Sequence, residues 1–221
     1  MKISLIINTA AGDPRVAGEN NPWRRHTYGD RVAMVHKIVA ECTDFDQIIV
    51  AGVFEPSAEG LYTSVQIPQQ YGDRRDALLQ REIGARHATG DILVFTHDDH
   101  MPSAPQNDEG FTMPFLLTSG TKSFIEDDTI VDFTQGWDIL VPKRIHGVTG
   151  EELNNGKEAG YMGGHTLCMK REAWAAVPWV TAIPPRSWDI PMTRIWLDAG
   201  LKIVWTDDLI SVDLEAMEDE R

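Results

Sequence analysis

Cysteine is scarce in this chain of 221 residues: Cys42 and Cys168 stand far apart, each in apolar surroundings. That excludes a disulfide framework and offers no spacing for a zinc or redox motif, so reduced, buried thiols of a cytoplasmic protein are expected. Positive charge is short as well. The 20 Lys and Arg face 34 Asp and Glu, for a formal charge of −14 and a pI near 4.8. Such acidity favours solubility and argues against a strongly basic nucleic-acid surface. Long apolar runs are missing too. The first, in MKISLIINTAAGDP, is too short to span a bilayer and lacks the flanks of a signal peptide, so it reads as the first strand of a soluble protein with no membrane partner. Internal repeats and low-complexity tracts are also absent, and the length suits one domain over residues 1–221.

What is present is concentrated in REIGARHATGDILVFTHDDH, residues 81–100. Asp73 can cap a helix in which Leu79, Ile83 and Arg86 follow helical spacing, Gly90 closes it, and Ile92, Leu93, Val94 and Phe95 read as a strand buried on both faces. Apolarity then stops, and His97, Asp98, Asp99 and His100 fall beyond the carboxyl end of that strand, where open α/β sheets bind ligands. Carboxylate oxygens suit Mg²⁺, and carboxylate with imidazole suits Mn²⁺. Taken alone, an acidic pair after a strand more often caps a turn.

Around this block, residues 3–8 read as a strand and residues 10–22, rich in Gly, Pro and Asn, as a binding loop. Val32, Val35, Ile38, Val39 and Cys42 mark a helix face, and residues 47–53 form a second strand. Two β-α-β steps imply parallel strands with right-handed crossovers in an α/β layered domain. Residues 129–133 and 137–141 read as short strands, 147–160 as a polar loop and 170–177 as a short helix. Ser187 can cap a helix carrying Met192, Ile195, Trp196 and Ala199, Gly200 stops it, and residues 201–205 form the last core strand. Among the tryptophans, Trp174, Trp196 and Trp205 are expected in the core. Trp23, Trp137, Trp179 and Trp188 lie near loops and can stack on a sugar or base.

The pattern R-E-x-G-x-x-x-A-T-G-D-I-L-V-F-x-x-D-D resembles the helix, strand and acidic turn of the GT-A nucleotide-sugar glycosyltransferases, above all the family 2 type. The block W-D-I-P-M-T-R-I-W-L-D-A-G-L-K-I-V-W resembles the segment in which that family's "ED" pair opens a helix ending in "G-x-x-I". The resemblance implies a single GT-A, Rossmann-like α/β domain with a mostly parallel central sheet flanked by helices. It implies a nucleotide-sugar donor, a UDP-sugar being expected, and a divalent metal cofactor, Mn²⁺ or Mg²⁺, at the acidic turn. Asp99 is the surest ligand. A simple alignment adds His97 as H-D-D, and a shift by one residue gives D-x-H through Asp98 and His100. Thr9 matches a nucleotide-contacting threonine, Asp98 falls on the donor side, and Arg81, among Arg74, Arg75, Arg81 and Arg86, can face the diphosphate. GYMGGHT resembles the loop in which Gly163 and Gly164 let backbone approach the donor sugar, with His165 and Trp188 on the acceptor side. Asp213 or Glu215 stands where the family often has a terminal histidine ligand. The family's aspartate after strand two is missing, and Glu55 is its nearest substitute.

By the same match Asp189 occupies the position of the catalytic base. A carboxylate in a first helical turn stays ionised by the helix dipole and can take the proton of an attacking hydroxyl, although helix capping alone would also explain an Asp there. Direct displacement would invert the anomeric centre. The acceptor is left open among soluble glycans, small molecules, proteins and a 5-hydroxymethylpyrimidine in DNA, and for DNA the basic pairs Arg24–Arg25 and Lys143–Arg144 are the phosphate candidates. Two rivals have distinct signatures. A sugar nucleotidylyltransferase would carry G-x-G-T-R after strand one, which AAGDPR matches poorly, and a non-catalytic nucleotide-sugar or carbohydrate-binding module is favoured by His97 in an acidic position.

Overall fold

The computed structural model describes residues 2–9, 28–68, 70, 74–103, 136–147, 149–180 and 188–214. The expected strand at 129–133, the loop at 10–22, Trp23, Arg24, Arg25, Asp73, Ser187 and Glu215 lie outside them. The first half alternates strand and helix: β1 (Ile3–Thr9), α1 (Tyr28–Glu41), β2 (Gln47–Gly52), β3 (Thr63–Gln66), α2 (Arg74–His87), β4 (Ile92–His97) and β5 (His100–Ser103). The second half contributes β6 (Ile139–His146), β7 (Glu152–Leu153), β8 (Leu167–Lys170), α3 (Arg171–Ala176), α4 (Asp189–Asp198) and β9 (Ile203–Asp213).

These strands form one sheet in the order β3-β2-β1-β4-β8-β6-β9-β5, with β7 paired to β6. From β3 to β4 every pairing is parallel, with α1 crossing from β1 to β2, a loop from β2 to β3 and α2 from β3 to β4. Most of the paired register is parallel, as expected, and beyond β4 the sheet turns mixed. β8 runs antiparallel to β4 and β6, β5 runs antiparallel to β9, and only β6–β9 is parallel. The result is a mixed α/β domain whose sheet is flanked by helices.

β1 and β4 bury side chains on both faces. Leu5, Ile7, Ile92 and Val94 join Val35, Ile38 and Val39 of α1 in one core, whereas Ile6, Leu93 and Phe95 join Leu78 and Ala85 of α2 and Trp196 of α4 in the other. At about 1.5–3 kcal/mol for each fully buried aliphatic side chain, these layers hold the sheet between its helices. α2 lies close to the sheet because Gly84 has no side chain; a Cβ there would come within 2.6 Å of Ile6 Cγ2. α4 ends at Gly200, whose φ of +84° suits glycine. β9 runs well past Trp205, where the apolar pattern stops, because a bulge lets Thr206 pair with Pro142 and Ile210 with Lys143.

Candidate active site

Strand register brings the site together. β1 and β4 are parallel neighbours in which Asn8 lies opposite His97, so Thr9 and Asp98 emerge side by side at the carboxyl edge. β5 pairs antiparallel with β9, which puts Asp213 opposite His100. The Asp98–Asp99 turn between β4 and β5 is held from below by the Leu214 N–H, which donates to the Asp99 carbonyl at 2.8 Å.

Asp98 is buried, and both its oxygens are engaged. Thr9 Oγ1 donates to Oδ2 at 2.7 Å, and Arg31 Nη1 of α1 meets Oδ1 at 2.5 Å. Arg31 also faces Asp99, Nη2 to Oδ2 at 3.8 Å, while Asp99 Oδ1 lies 2.5 Å from His100 Nδ1. Burial works against the Asp99 charge, but His100, by charge and hydrogen bond, then His97 and Arg31 outweigh it and hold the carboxyl well below its usual range. On the far side of His100, Nε2 is 3.8 Å from Asp213 Oδ2, which Arg144 Nη2 meets at 2.5 Å. The His165 ring stacks on His100 at 5.0 Å between centroids and 21° between planes.

His97 is part of the scaffold. Arg81 Nε donates to Asn8 Oδ1 at 3.0 Å, so the Asn8 amide nitrogen donates to His97 Nδ1 at 2.6 Å, and the imidazole proton resides on Nε2. Burial, and then the neighbouring Arg81 charge, push the His97 pKa well below the ordinary value, so the ring is neutral. Burial, followed by the His100 and Arg144 charges, lowers His165 in the same direction.

Arg81 is the central strut of this arrangement. Fully buried, it donates through Nη2 to the carbonyls of Gly164 at 3.0 Å and His165 at 2.9 Å, and its guanidinium lies 5.1 and 4.8 Å from the ring centroids of Trp179 and Trp188. Burial lowers its pKa to about 9, with Asp99 and Asp189 pulling the other way, so it remains a cation at neutral pH. Arg86, in contrast, is exposed and pairs with the buried Glu82 one turn earlier on α2.

Asp189 opens α4, half-buried, with Oδ1 accepting from the Ile190 N–H at 3.1 Å; the residue before the helix, Trp188, supplies no side-chain cap. Trp188 is not an exposed stacking platform. Its ring is buried against Trp179, Arg81 and Gly164, because a Cβ at residue 164 would come within 2.9 Å of Trp188 Cζ2. Gly163 likewise makes room for His165, whose Nε2 lies 2.5 Å from the position a Cβ would take. Trp137 and Trp179 are buried too, so these three rings stabilise the core and are not displayed to a ligand. Lys143 pairs with Glu152 at 2.9 Å and Arg144 with Asp213, which removes the second basic pair as a free phosphate contact.

The metal expected at Asp99 with His97 or His100 does not fit these residues. His97 Nδ1 and both oxygens of Asp98 are committed, Asp99 is shared between His100 and Arg31, and a guanidinium stands where the ion would be needed. Among the described residues, no three His, Cys, Asp or Glu side chains converge as a metal site. Arg31 is the residue that motif reading missed. Its only sequence signal is an arginine in the first turn of the first helix, a position that faces the carboxyl edge of the sheet.

No protein-family model matches the chain, and no curated protein matches it. Solved structures do. A mannosyltransferase from Pyrobaculum calidifontis, in complex with GDP-Man and Mn²⁺, superposes with a TM-score of 0.52 at 12% identity over 96% of this chain and 56% of that one. S. aureus TarS gives 0.54 at 12% over 95% and 36%, and its fragment 1–349 gives 0.52 at 12% over 98% and 62%. The chain thus spans less than two thirds of these structures. At such identity the likeness is one of fold, and that fold is the Rossmann-like GT-A type. Among the described residues no helix is long and apolar enough to cross a membrane.

Proposed function

We propose that the protein is a glycosyltransferase that moves a sugar from a nucleotide-sugar donor to an acceptor hydroxyl. The observation that carries this reading is that one buried cation ties the two acidic elements together: Arg81 donates to Asn8, the β1 residue opposite His97 at the start of the Asp98–Asp99 turn, and its guanidinium lies 4.8 Å from the ring of Trp188, the residue before Asp189 and α4. The donor diphosphate would lie along the carboxyl ends of β1 and β4, near Thr9 and the Asp98–Asp99 turn, with the sugar toward the Gly164–His165 backbone that Arg81 holds. Asp189 would accept the acceptor's hydroxyl proton as its oxygen bonds to the anomeric carbon. The bond from that carbon to the diphosphate breaks with inversion, and the nucleoside diphosphate leaves with the electron pair.

The test is a matrix of UDP-, GDP-, CMP- and dTDP-sugars against soluble glycans, small alcohols and duplex DNA with or without 5-hydroxymethylpyrimidine, read by nucleotide release and product mass. Release coupled to a mass gain of one glycosyl unit is expected in at least one combination. The internally paired carboxylates also favour a second reading, a binding module without turnover. Saturable binding of a nucleotide sugar with no release or transfer in any combination would select it.

A further inference from the structure

We infer that Arg31 fills the cation position of the Asp98–Asp99 pair, so that nucleotide binding at this site needs no divalent metal. The inference rests on the proposed donor site. Arg31 reaches Asp98 at 2.5 Å and Asp99 at 3.8 Å, with side-chain exposures of 9% for the arginine and 5% and 17% for the acids. A divalent ion ligated by the same oxygens would lie at ion-pair range from a fixed positive charge and would have to displace it. The flanking groups leave little carboxylate to spare: Thr9 takes the second oxygen of Asp98, His100 takes the second oxygen of Asp99, and Arg144 is bound to Asp213.

Two guanidiniums, those of Arg31 and Arg144, are therefore ion-paired with the three carboxylates of Asp98, Asp99 and Asp213. Compensating charge at this edge is supplied by the chain itself. Arginine suits this task because its fork spans two acids at once and stays charged at every working pH. The diphosphate of a donor would then approach an edge whose compensating charge is fixed in the fold and independent of metal supply.

Direct titration of the whole protein with Mn²⁺, followed by the loss of the free-ion electron paramagnetic resonance signal, tests this without any turnover. Wild type should show no saturable binding up to about 1 mM, whereas Arg31→Gln should gain a site at least about tenfold tighter that is lost again on adding Asp99→Asn. UDP and GDP binding by calorimetry should be the same in excess chelator as in Mn²⁺. Saturable Mn²⁺ binding by wild type that Asp99→Asn abolishes, or nucleotide binding that chelator abolishes, overturns the inference even if Arg31→Gln fails to fold. If neither nucleotide binds with or without Mn²⁺, the donor-site reading falls, and the Mn²⁺ titration of wild type alone decides the role of Arg31.

Discussion

The amide nitrogen of Asn8 lies 2.6 Å from Nδ1 of His97, across two neighbouring parallel strands, and this contact defines the chemistry of His97. Because Arg81 occupies the amide oxygen, the imidazole receives a hydrogen bond where a metal ligand would offer a lone pair. His97 thus braces the site.

That bracing has a pH signature. The pKa values of His97 and His165 are lowered in the folded protein, below the ordinary 6.5. As pH falls below 6.5 the unfolded chain takes up protons that the native state refuses, so stability present above 6.5 is lost toward acid. Asp99, also lowered, adds a loss only below its ordinary 3.8. Urea midpoints should be flat from about pH 7 to 8 and decline toward about pH 5, with a shallower decline in His97→Gln and His165→Gln. An unchanged slope in both variants would remove these rings from the account.

Arg81→Met keeps the stem but strips donors from Asn8 and from the carbonyls of Gly164 and His165. Since each buried acceptor left unpaired costs about 1–3 kcal/mol, denaturant unfolding should show a loss of about 3 kcal/mol or more. A change below about 0.5 kcal/mol would mean that the strut is dispensable.

For Asp189→Asn, transfer should fall by about 10²–10⁴-fold while donor binding and the urea midpoint hold, because the amide keeps the shape but cannot take the proton. Single-turnover transfer and calorimetry make the comparison. Unchanged transfer with reduced stability would leave Asp189 as a helix-terminus residue only.

Trp188→Ala should act on stability, not on acceptor recognition. Removing a ring packed on Trp179, Arg81 and Gly164 should cost about 3–5 kcal/mol. A stable variant whose only defect is a raised acceptor KM would restore the stacking role.

Gly52 closes β2 beside Thr9 with a φ of +150°, and a Cβ there would fall 1.9 Å from the Thr9 carbonyl oxygen. Gly52→Ala should therefore destabilise by about 3 kcal/mol or more, well beyond Gly60→Ala, which meets no neighbour and carries only the conformational cost of about 1 kcal/mol. Thermal unfolding of the pair gives the difference directly.

The sequence by itself determined the elements whose signals are local. Apolar residues at helical and strand spacing, bounded by Gly90 and Gly200, mark β1, α1, β2, α2, β4 and α4 because backbone periodicity and burial act within a few residues. The acidic turn was legible for the same reason, since the abrupt end of apolarity after Phe95 marks the strand's carboxyl edge. Tertiary structure decided what those residues contact. β8 enters next to β4 from 70 residues away to make the sheet mixed, Asp213 arrives opposite His100 through β9, Arg31 crosses from α1 to the carboxylate pair, and Trp188 turns inward because Gly164 leaves room for its ring. None of these partners is close in the chain, so no local spacing encodes them. They follow from strand register and from the need to pair every charge that the fold removes from water.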